Sequence, residues 1–363
     1  MRTITLFLVI LLVSACARQQ SSFDAGMVVS LTGNYSPLLE SARNGALLAA
    51  EEINSRERRE VNLVVRDDNS RGEVTLEMVQ GLIEEGIDYL IMATTSGAYL
   101  EAADYINSKN VLVLSGTASS DELKGLDDNL IRLTVNISLY ADHLADYAIR
   151  QQIKSATIVY DENNRSYADT MATAFTAEIS EKIPAIRIQQ VGFDSRVKPS
   201  YIDIARKIRE QASDCVLLIA SPFDTAYIYQ HIDEFDQLLL LSPWGVSREL
   251  IENGGRSVEG VVTYLEKGFL GDDPEYSRFV GNYRERFNEE PTYQSMVNYD
   301  AVYLLSGAIK SSGPDRPRDV FGFILEEGRF SGVNTDYIFD EYGDCSFELY
   351  PYTVRNGSFV RIE

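Results

Sequence analysis

The sequence predicts an α/β protein of two lobes, each a parallel β-sheet flanked by helices. Short apolar runs alternate with stretches of helical periodicity, which is typical of repeated βα units. The alternation restarts near residue 156, so two such units follow one another along the chain. The roughly 340 residues that follow an N-terminal leader are enough for two domains. A cleft between two lobes is a common place for a small ligand.

The individual elements follow from these patterns in order. In the first unit, strands are predicted over 27–29, 61–65, 89–92 and 111–114, with helices through 46–53, 74–83 and 100–106. In the second unit, strands are predicted over 156–160, 186–191, 215–219, 238–241 and 261–264, with helices that include 169–179, 201–211 and 225–231. A late helix over 299–310 precedes a predicted strand pair, 337–340 and 347–354, joined by a turn over 341–344.

The N-terminus has the pattern of a secretory signal, with Arg2, an apolar run over 4–13 and small residues before Cys16. This run is too short for a membrane span, which needs about twenty apolar residues. The segment over 13–16 also resembles a bacterial lipobox, whose cysteine receives a lipid and becomes the new N-terminus. We therefore predict a signal peptide over 1–15 and a lipidated tether over 16–24, which anchors the chain in the cell envelope. An ordinary signal peptide with a chance cysteine is the alternative.

Charge and cysteine content exclude several kinds of function. Removing 1–15 changes the net charge from −22 to −23, because Arg2 is the only charged residue there, and such a chain is not a general nucleic-acid binder. No metal or other cofactor is expected, since the two histidines and the cysteines form no ligand cluster. An oxidising envelope permits a Cys215–Cys345 disulfide, although Cys215 in its apolar run also suits a buried thiol.

Candidate binding residues follow the predicted strands, because ligands of parallel sheets lie beyond the carboxyl ends of the strands. These ends are rich in hydroxyls, small residues and aromatics, and they lie at 30–33, 67–68, 94–97, 115–119, 221–224 and 242–245. Hydroxyls and loop N–H groups suit a carboxylate or another polar ligand. Ordinary helix capping explains any one such loop, whereas several together favour a binding site.

These segments resemble the type I periplasmic (solute) binding proteins, in the branched-chain amino-acid (leucine/isoleucine/valine) subfamily of ABC transporters. Leu31-Thr32-Gly33 and the helix over 44–54 match the opening signature. Further matches lie at 67–68, 95–97, 114–119, 258–261, 299–302 and 339–344, so the resemblance covers nearly the whole mature chain. It implies two Rossmann-like lobes joined by a three-strand hinge.

The resemblance also implies where the lobes begin and end. The chain would cross between them near Val135, Lys267 and Asn334. Lobe 1 would then comprise 25–135 and 267–334, and lobe 2 would comprise 136–266 and 335–363.

The same resemblance assigns the binding residues. Ser96 and the backbone N–H of Ser119 would hold a ligand carboxylate, while the Ser119 hydroxyl and the Thr117 carbonyl would receive an α-ammonium. Tyr167 matches an aromatic that closes over the ligand, and Phe223 lies where another aromatic is common.

One departure concerns Trp244, which stands where the subfamily often has an acidic residue. A buried ammonium without a counter-charge is costly. Asp224 or another acid supplies the charge, the indole does so by a cation–π contact, or the ligand is not an α-amino acid. A core tryptophan at the hinge is the alternative for Trp244. A glycine common after Gly33 is also absent.

The predicted function is a lipid-anchored binding protein that captures an amino acid or related carboxylate or amide and delivers it to an ABC transporter permease. An enzyme is not expected, because the nucleotide, hydrolase and zinc-protease motifs are absent. An envelope sensor or scaffold for cell-wall machinery, with the same fold and no transport role, remains the alternative.

Overall fold

A computed structural model of the protein describes residues 22–32, 36–57, 60–232, 237–266, 274–312, 316–333 and 335–363. Cys16 and two of the predicted crossings, Lys267 and Asn334, lie outside these ranges, whereas Val135 is buried between β5 and α4, whose bounds are given below. Within the described ranges, no helix is both long and apolar enough to cross a membrane.

The first sheet has five parallel strands, in the order β2-β1-β3-β4-β5. They are β1 (Phe23–Val29), β2 (Val61–Asp67), β3 (Tyr89–Ala93), β4 (Leu112–Ser115) and β5 (Leu130–Arg132). The connecting helices are α1 (Ser36–Glu57), α2 (Gly72–Glu84) and α3 (Ser96–Asn107). Every residue of β3 and β4 is buried, as expected for central strands that helices cover on both faces.

The second sheet has seven strands, in the order β15-β14-β10-β9-β8-β6-β7. Its parallel strands are β6 (Ser155–Asp161), β7 (Arg187–Phe193), β8 (Cys215–Ile219), β9 (Leu238–Leu241) and β10 (Val262–Leu265). Two strands close to the C-terminus, β14 (Tyr350–Arg355) and β15 (Ser358–Arg361), join it in antiparallel pairing. The helices here are α4 (Ile137–Arg150), α5 (Arg165–Lys182), α6 (Tyr201–Gln211), α7 (Pro222–Gln230) and α8 (Arg248–Gly254).

Three further helices and a small sheet complete the described chain. They are α9 (Pro274–Phe287), α10 (Tyr293–Ser312) and α11 (Pro317–Glu327), followed by β11 (Arg329–Ser331), β12 (Asp336–Phe339) and β13 (Cys345–Ser346). Helix α10 packs so closely on α1 that a side chain at position 45 would overlap the Ser295 carbonyl. Gly45, which has no side chain, permits this contact. The late helix thereby covers the first sheet together with a helix from the start of the chain.

The predicted α/β class with helix-flanked parallel sheets is confirmed, and two local predictions are wrong. The predicted pairing of 337–340 with 347–354 is wrong, since β12 pairs with the two-residue β13 while β14, which begins at Tyr350, pairs with β10 of the second sheet. The predicted tether over 16–24 extends too far, because β1 begins at Phe23, which is buried with its ring 6.1 Å from that of Tyr89. Cys215 and Cys345 are both buried free thiols.

Candidate functional site

A cavity of about 130 Å³ lies where the carboxyl ends of strands from the two parallel sheets meet. An apolar cavity of roughly 150 Å³ is large enough for benzene, so this first cavity suits a small solute. It is lined by Leu39, Thr94, Thr95, Ser96, Gly116, Thr117, Ser119, Thr134, Ile137, Tyr140, Asn164, Tyr167, Pro243, Trp244, Tyr293 and Gln294. Five of the six predicted ligand-binding residues belong to this set.

The first sheet contributes three predicted hydroxyls, at Ser96, Thr117 and Ser119. Ser96 is the first residue of α3, and its hydroxyl accepts a 3.1 Å hydrogen bond from the backbone N–H of Ser120. Thr117 donates from its hydroxyl to the Thr94 carbonyl at 2.7 Å. The loop after β4 is therefore tied to the loop after β3, which brings the three residues to one wall of the cavity.

Arg132 fixes the position of this loop through hydrogen bonds to its backbone carbonyls. Its guanidinium, which is 1% exposed, donates to the carbonyls of Ala118 and Ser120 at 3.4 and 3.1 Å. The same side chain donates to Asn136 at 2.6 Å and forms a 2.6 Å ion pair with Asp344. These contacts fix the backbone on both sides of Ser119.

The second sheet contributes the aromatic wall. Tyr167 lies on α5, and its ring meets that of Trp244 edge to face, with centroids 5.7 Å apart. Burial raises the pKa of the Tyr167 hydroxyl, while the Trp244 backbone acts in the opposite direction. Trp244 occupies a short 3-10 turn after β9, where it lines the cavity and packs against the core.

Phe223 lies elsewhere, on a second cavity of about 620 Å³ that shares Trp244 with the first. Its side chain is 43% exposed and its ring is 4.5 Å from that of Tyr227. Asp224 also lines this second cavity, and its two carboxylate oxygens accept from the hydroxyls of Tyr201 at 2.8 Å and Ser221 at 2.6 Å. Burial raises the pKa of Asp224. The structure does not bring either residue into the first cavity.

Sequence reasoning missed the residues that form the floor of the first cavity, namely Thr134, Ile137, Tyr140, Tyr293 and Gln294. Burial, followed by the negative charge of Glu266, raises the pKa values of both Tyr140 and Tyr293. The position of the predicted crossing at Val135 could have indicated the first three, since residues beside a crossing lie close to a cleft between lobes.

The lining of the first cavity carries no charged side chain among the described residues, which is unusual for a site that binds a free amino acid. None of its sixteen residues, as far as the chain is described, is acidic or basic. The described chain also contains no cluster of three or more metal-ligating side chains. The arrangement can therefore bind a small, largely apolar solute through hydroxyls and backbone groups.

Two sheets whose parallel strands end at one small cavity define a solute-binding protein of the α/β class. Residues 23–358 match the family described as periplasmic binding protein. The chain therefore belongs to the periplasmic binding protein family. The fold matches that of type I members, and the relatives below are binding proteins, not enzymes.

Three similar proteins illustrate the range of the family. The Leu/Ile/Val-binding protein homolog 3 of Brucella melitensis is 24% identical over 354 residues, which cover 93% of each chain. A leucine-binding protein from Thermotoga maritima has a TM-score of 0.83 at 20% identity, covering 94% of this chain and 98% of that one. A solute-binding protein from R. palustris in complex with benzoate also has a TM-score of 0.83, at 17% identity, covering 94% and 96%.

Proposed function

We propose that this protein captures a small carboxylate or amide, an amino acid or a related compound, and delivers it to an ABC transporter permease. The first cavity carries this proposal, because it joins hydroxyls of one sheet to aromatic rings of the other. A ligand there contacts both sheets at once, which is what a protein that closes around its solute requires.

The ligand class is supported by the two walls of the cavity. Ser96 and the backbone N–H of Ser119 suit a carboxylate, because N–H and O–H donors bind an anionic oxygen strongly. Tyr167 and Trp244 suit an apolar remainder, whose burial contributes roughly 25 cal/mol per Å². Leucine and benzoate, named for two of the similar structures, both combine a carboxylate with an apolar remainder.

A thermal-shift screen tests the proposal. The panel contains the L-amino acids, their amides, and carboxylic acids without an amino group, including benzoate. A ligand at 100 times its Kd stabilises the folded state by about 2.7 kcal/mol, so the true class raises the melting temperature. If no compound of the panel shifts the transition, the proposed capture of a carboxylate or amide is wrong, and the sensor or scaffold role is favoured instead.

We also propose that Cys16 carries a lipid that anchors the protein in the cell envelope. The support is the small-residue segment before Cys16, after an apolar run of signal-peptide length. Cys16→Ser should move the protein from the membrane fraction to the soluble envelope fraction, as fractionation and immunoblotting can measure. Cys345→Ser, which leaves the leader intact, is the control. A Cys16→Ser protein that stays with membranes after a high-salt wash would place the anchor elsewhere.

A further inference from the structure

The first cavity contains no charged side chain among the described residues, but a buried carboxylate lies directly behind its floor. Glu266 is 1% exposed, and its Oε1 accepts a 2.5 Å hydrogen bond from the hydroxyl of Tyr140, a residue that lines the cavity. The Glu266 backbone carbonyl accepts a second hydrogen bond, from Tyr352 at 3.1 Å. Glu266 follows β10 directly, so its backbone is held against the second sheet.

The Tyr140–Glu266 hydrogen bond fixes the direction in which the Tyr140 hydroxyl donates its proton. A phenol has one proton and accepts through its oxygen lone pairs, so a Tyr140 hydroxyl that donates to Glu266 presents an acceptor to its other neighbours. A hydrogen bond to a carboxylate polarises that oxygen further, because linked hydrogen bonds in a low-dielectric interior strengthen one another. Glu266 itself does not line the cavity, so its charge can act on a ligand only through the Tyr140 hydroxyl.

The other two sources of a counter-charge are less well placed. Asp224 lines the second cavity, and both of its oxygens already accept hydrogen bonds from Tyr201 and Ser221. Trp244 meets Tyr167 edge to face and also packs against the core, which occupies part of its ring surface. A cation–π contact is in general weaker than a charge-assisted hydrogen bond.

We propose that Tyr140, polarised by Glu266, accepts a hydrogen bond from a protonated amino group of the ligand and so selects amine-bearing carboxylic acids over their analogues without nitrogen. This inference rests on the proposed function, since it names the substrate class of the same cavity. The carboxylate would then lie against Ser96 and Ser119, and the ammonium would lie towards the floor. The acid after β9, which Trp244 replaces, is not needed in this arrangement.

Matched pairs of probes test the proposal by calorimetry. They are L-leucine with 4-methylpentanoate, and L-phenylalanine with 3-phenylpropanoate, where each acid lacks only the amino group. The native protein should bind at least one amino acid of these pairs ten times or more tightly than its partner acid. Tyr140→Phe and Glu266→Gln should each reduce that ratio at least fivefold, mainly by weakening the binding of the amino acid. Asp224→Asn, the control, should leave the ratio unchanged.

The ratio separates a binding role from a structural one, because a variant that only loosens the fold weakens both members of a pair alike. Tyr140→Phe keeps the ring, so it decides the question if Glu266→Gln does not fold. The proposal is overturned if both pairs fail to bind, if the acids bind as tightly as the amino acids, or if Asp224→Asn alone reduces the ratio. Binding of other carboxylates from the thermal-shift panel would in that case leave the proposed function intact.

Discussion

Ser119 offers two hydrogen-bonding groups to a ligand in the first cavity, its hydroxyl and its backbone N–H. Its side chain is nearly buried, and in the described part of the chain neither its hydroxyl nor its backbone N–H has a protein hydrogen-bond partner. Its carbonyl is occupied, because it accepts from the Ile137 N–H at 2.9 Å. Because Ser119 lines the first cavity, both groups can bind a ligand that enters it.

Ser119→Ala should weaken ligand binding by about 5- to 150-fold, which corresponds to about 1–3 kcal/mol for a lost hydrogen bond to a charged group. Titration calorimetry with the tightest ligand of the screen measures this loss. Ser108→Ala, at the other end of α3, removes a hydroxyl that bonds only the Tyr105 carbonyl, so it should bind as the native protein does. Equal affinities of the Ser119→Ala and native proteins would show that the Ser119 hydroxyl does not contact the ligand.

Burial of the Asp128 carboxyl group lowers the stability of the folded protein at neutral pH. Burial raises its pKa to about 6 from the ordinary 3.8, against a hydrogen bond from the Leu130 N–H that lowers it. Between these two pH values the folded protein keeps a proton that the unfolded chain has released, so stability falls as the pH rises from about 4 to 6. The difference of about two pH units corresponds to at most about 3 kcal/mol, which remains lost at neutral pH.

Asp128→Asn should therefore increase the free energy of unfolding at pH 7 by about 1–3 kcal/mol and flatten its dependence on pH between 4 and 6. The asparagine oxygen can still accept from the Leu130 N–H. Urea denaturation at several pH values measures both effects, and the exposed neighbour Asp127 provides a control, with Asp127→Asn changing stability by less than about 0.5 kcal/mol. An unchanged pH profile in Asp128→Asn would mean that Asp128 is ionised at no cost.

At the scale of the elements, the buried Arg132–Asp344 pair joins β5 to the turn that precedes β13. Asp344 also accepts from the Gly125 N–H at 2.7 Å, and the Arg132 N–H donates to the Gly343 carbonyl at 2.9 Å. Gly343 has a φ of +87°, and a side chain there would approach the Leu130 carbonyl at 2.6 Å. The turn therefore requires glycine both for its conformation and for its contact with β5.

Asp344→Ala should reduce the free energy of unfolding by about 3–5 kcal/mol, because it leaves Arg132 buried without its counter-charge. Glu290→Ala breaks the exposed pair with Arg284 and should cost less than about 1 kcal/mol. Urea denaturation of the two variants compares them directly. Similar costs would indicate that water replaces Asp344 around the guanidinium.

The sequence predicted elements well where a local pattern decides them, and poorly where a distant partner does. The apolar runs of β3 and β8 identify buried strands by themselves. By contrast, the pairing of β14 with β10 joins residues as far as 91 positions apart, as in Val262 with Thr353, and no local pattern predicts that pairing. Tyr140 was not predicted as a site residue, because an aromatic on an apolar helix face is usually a core residue.

At the scale of the whole molecule, the first cavity is built from both sheets, and its floor lies beside the predicted crossing at Val135. The lobe boundaries predicted from the sequence place Ser96 and Ser119 in one lobe and Tyr167 and Trp244 in the other. A ligand that contacts both walls should hold the lobes together, because it binds the closed arrangement more tightly than the open one.

Saturating ligand should therefore reduce the radius of gyration, which small-angle X-ray scattering measures in solution. A compound of the screen that gives no thermal shift, at the same concentration, is the control and should leave the radius unchanged. An unchanged radius with a saturating ligand would contradict closure and would count against delivery to a transporter.

The C-terminal strands and α10 are synthesised late, and this order affects when the chain can fold. The second sheet places β10 between β9 and β14, and Tyr352 and Val354 of β14 are fully buried. The first sheet depends likewise on α10, which covers it together with α1. The core of each half is therefore complete only after the last third of the chain has left the ribosome. We therefore expect both halves to complete their folding only when synthesis of the chain is nearly finished.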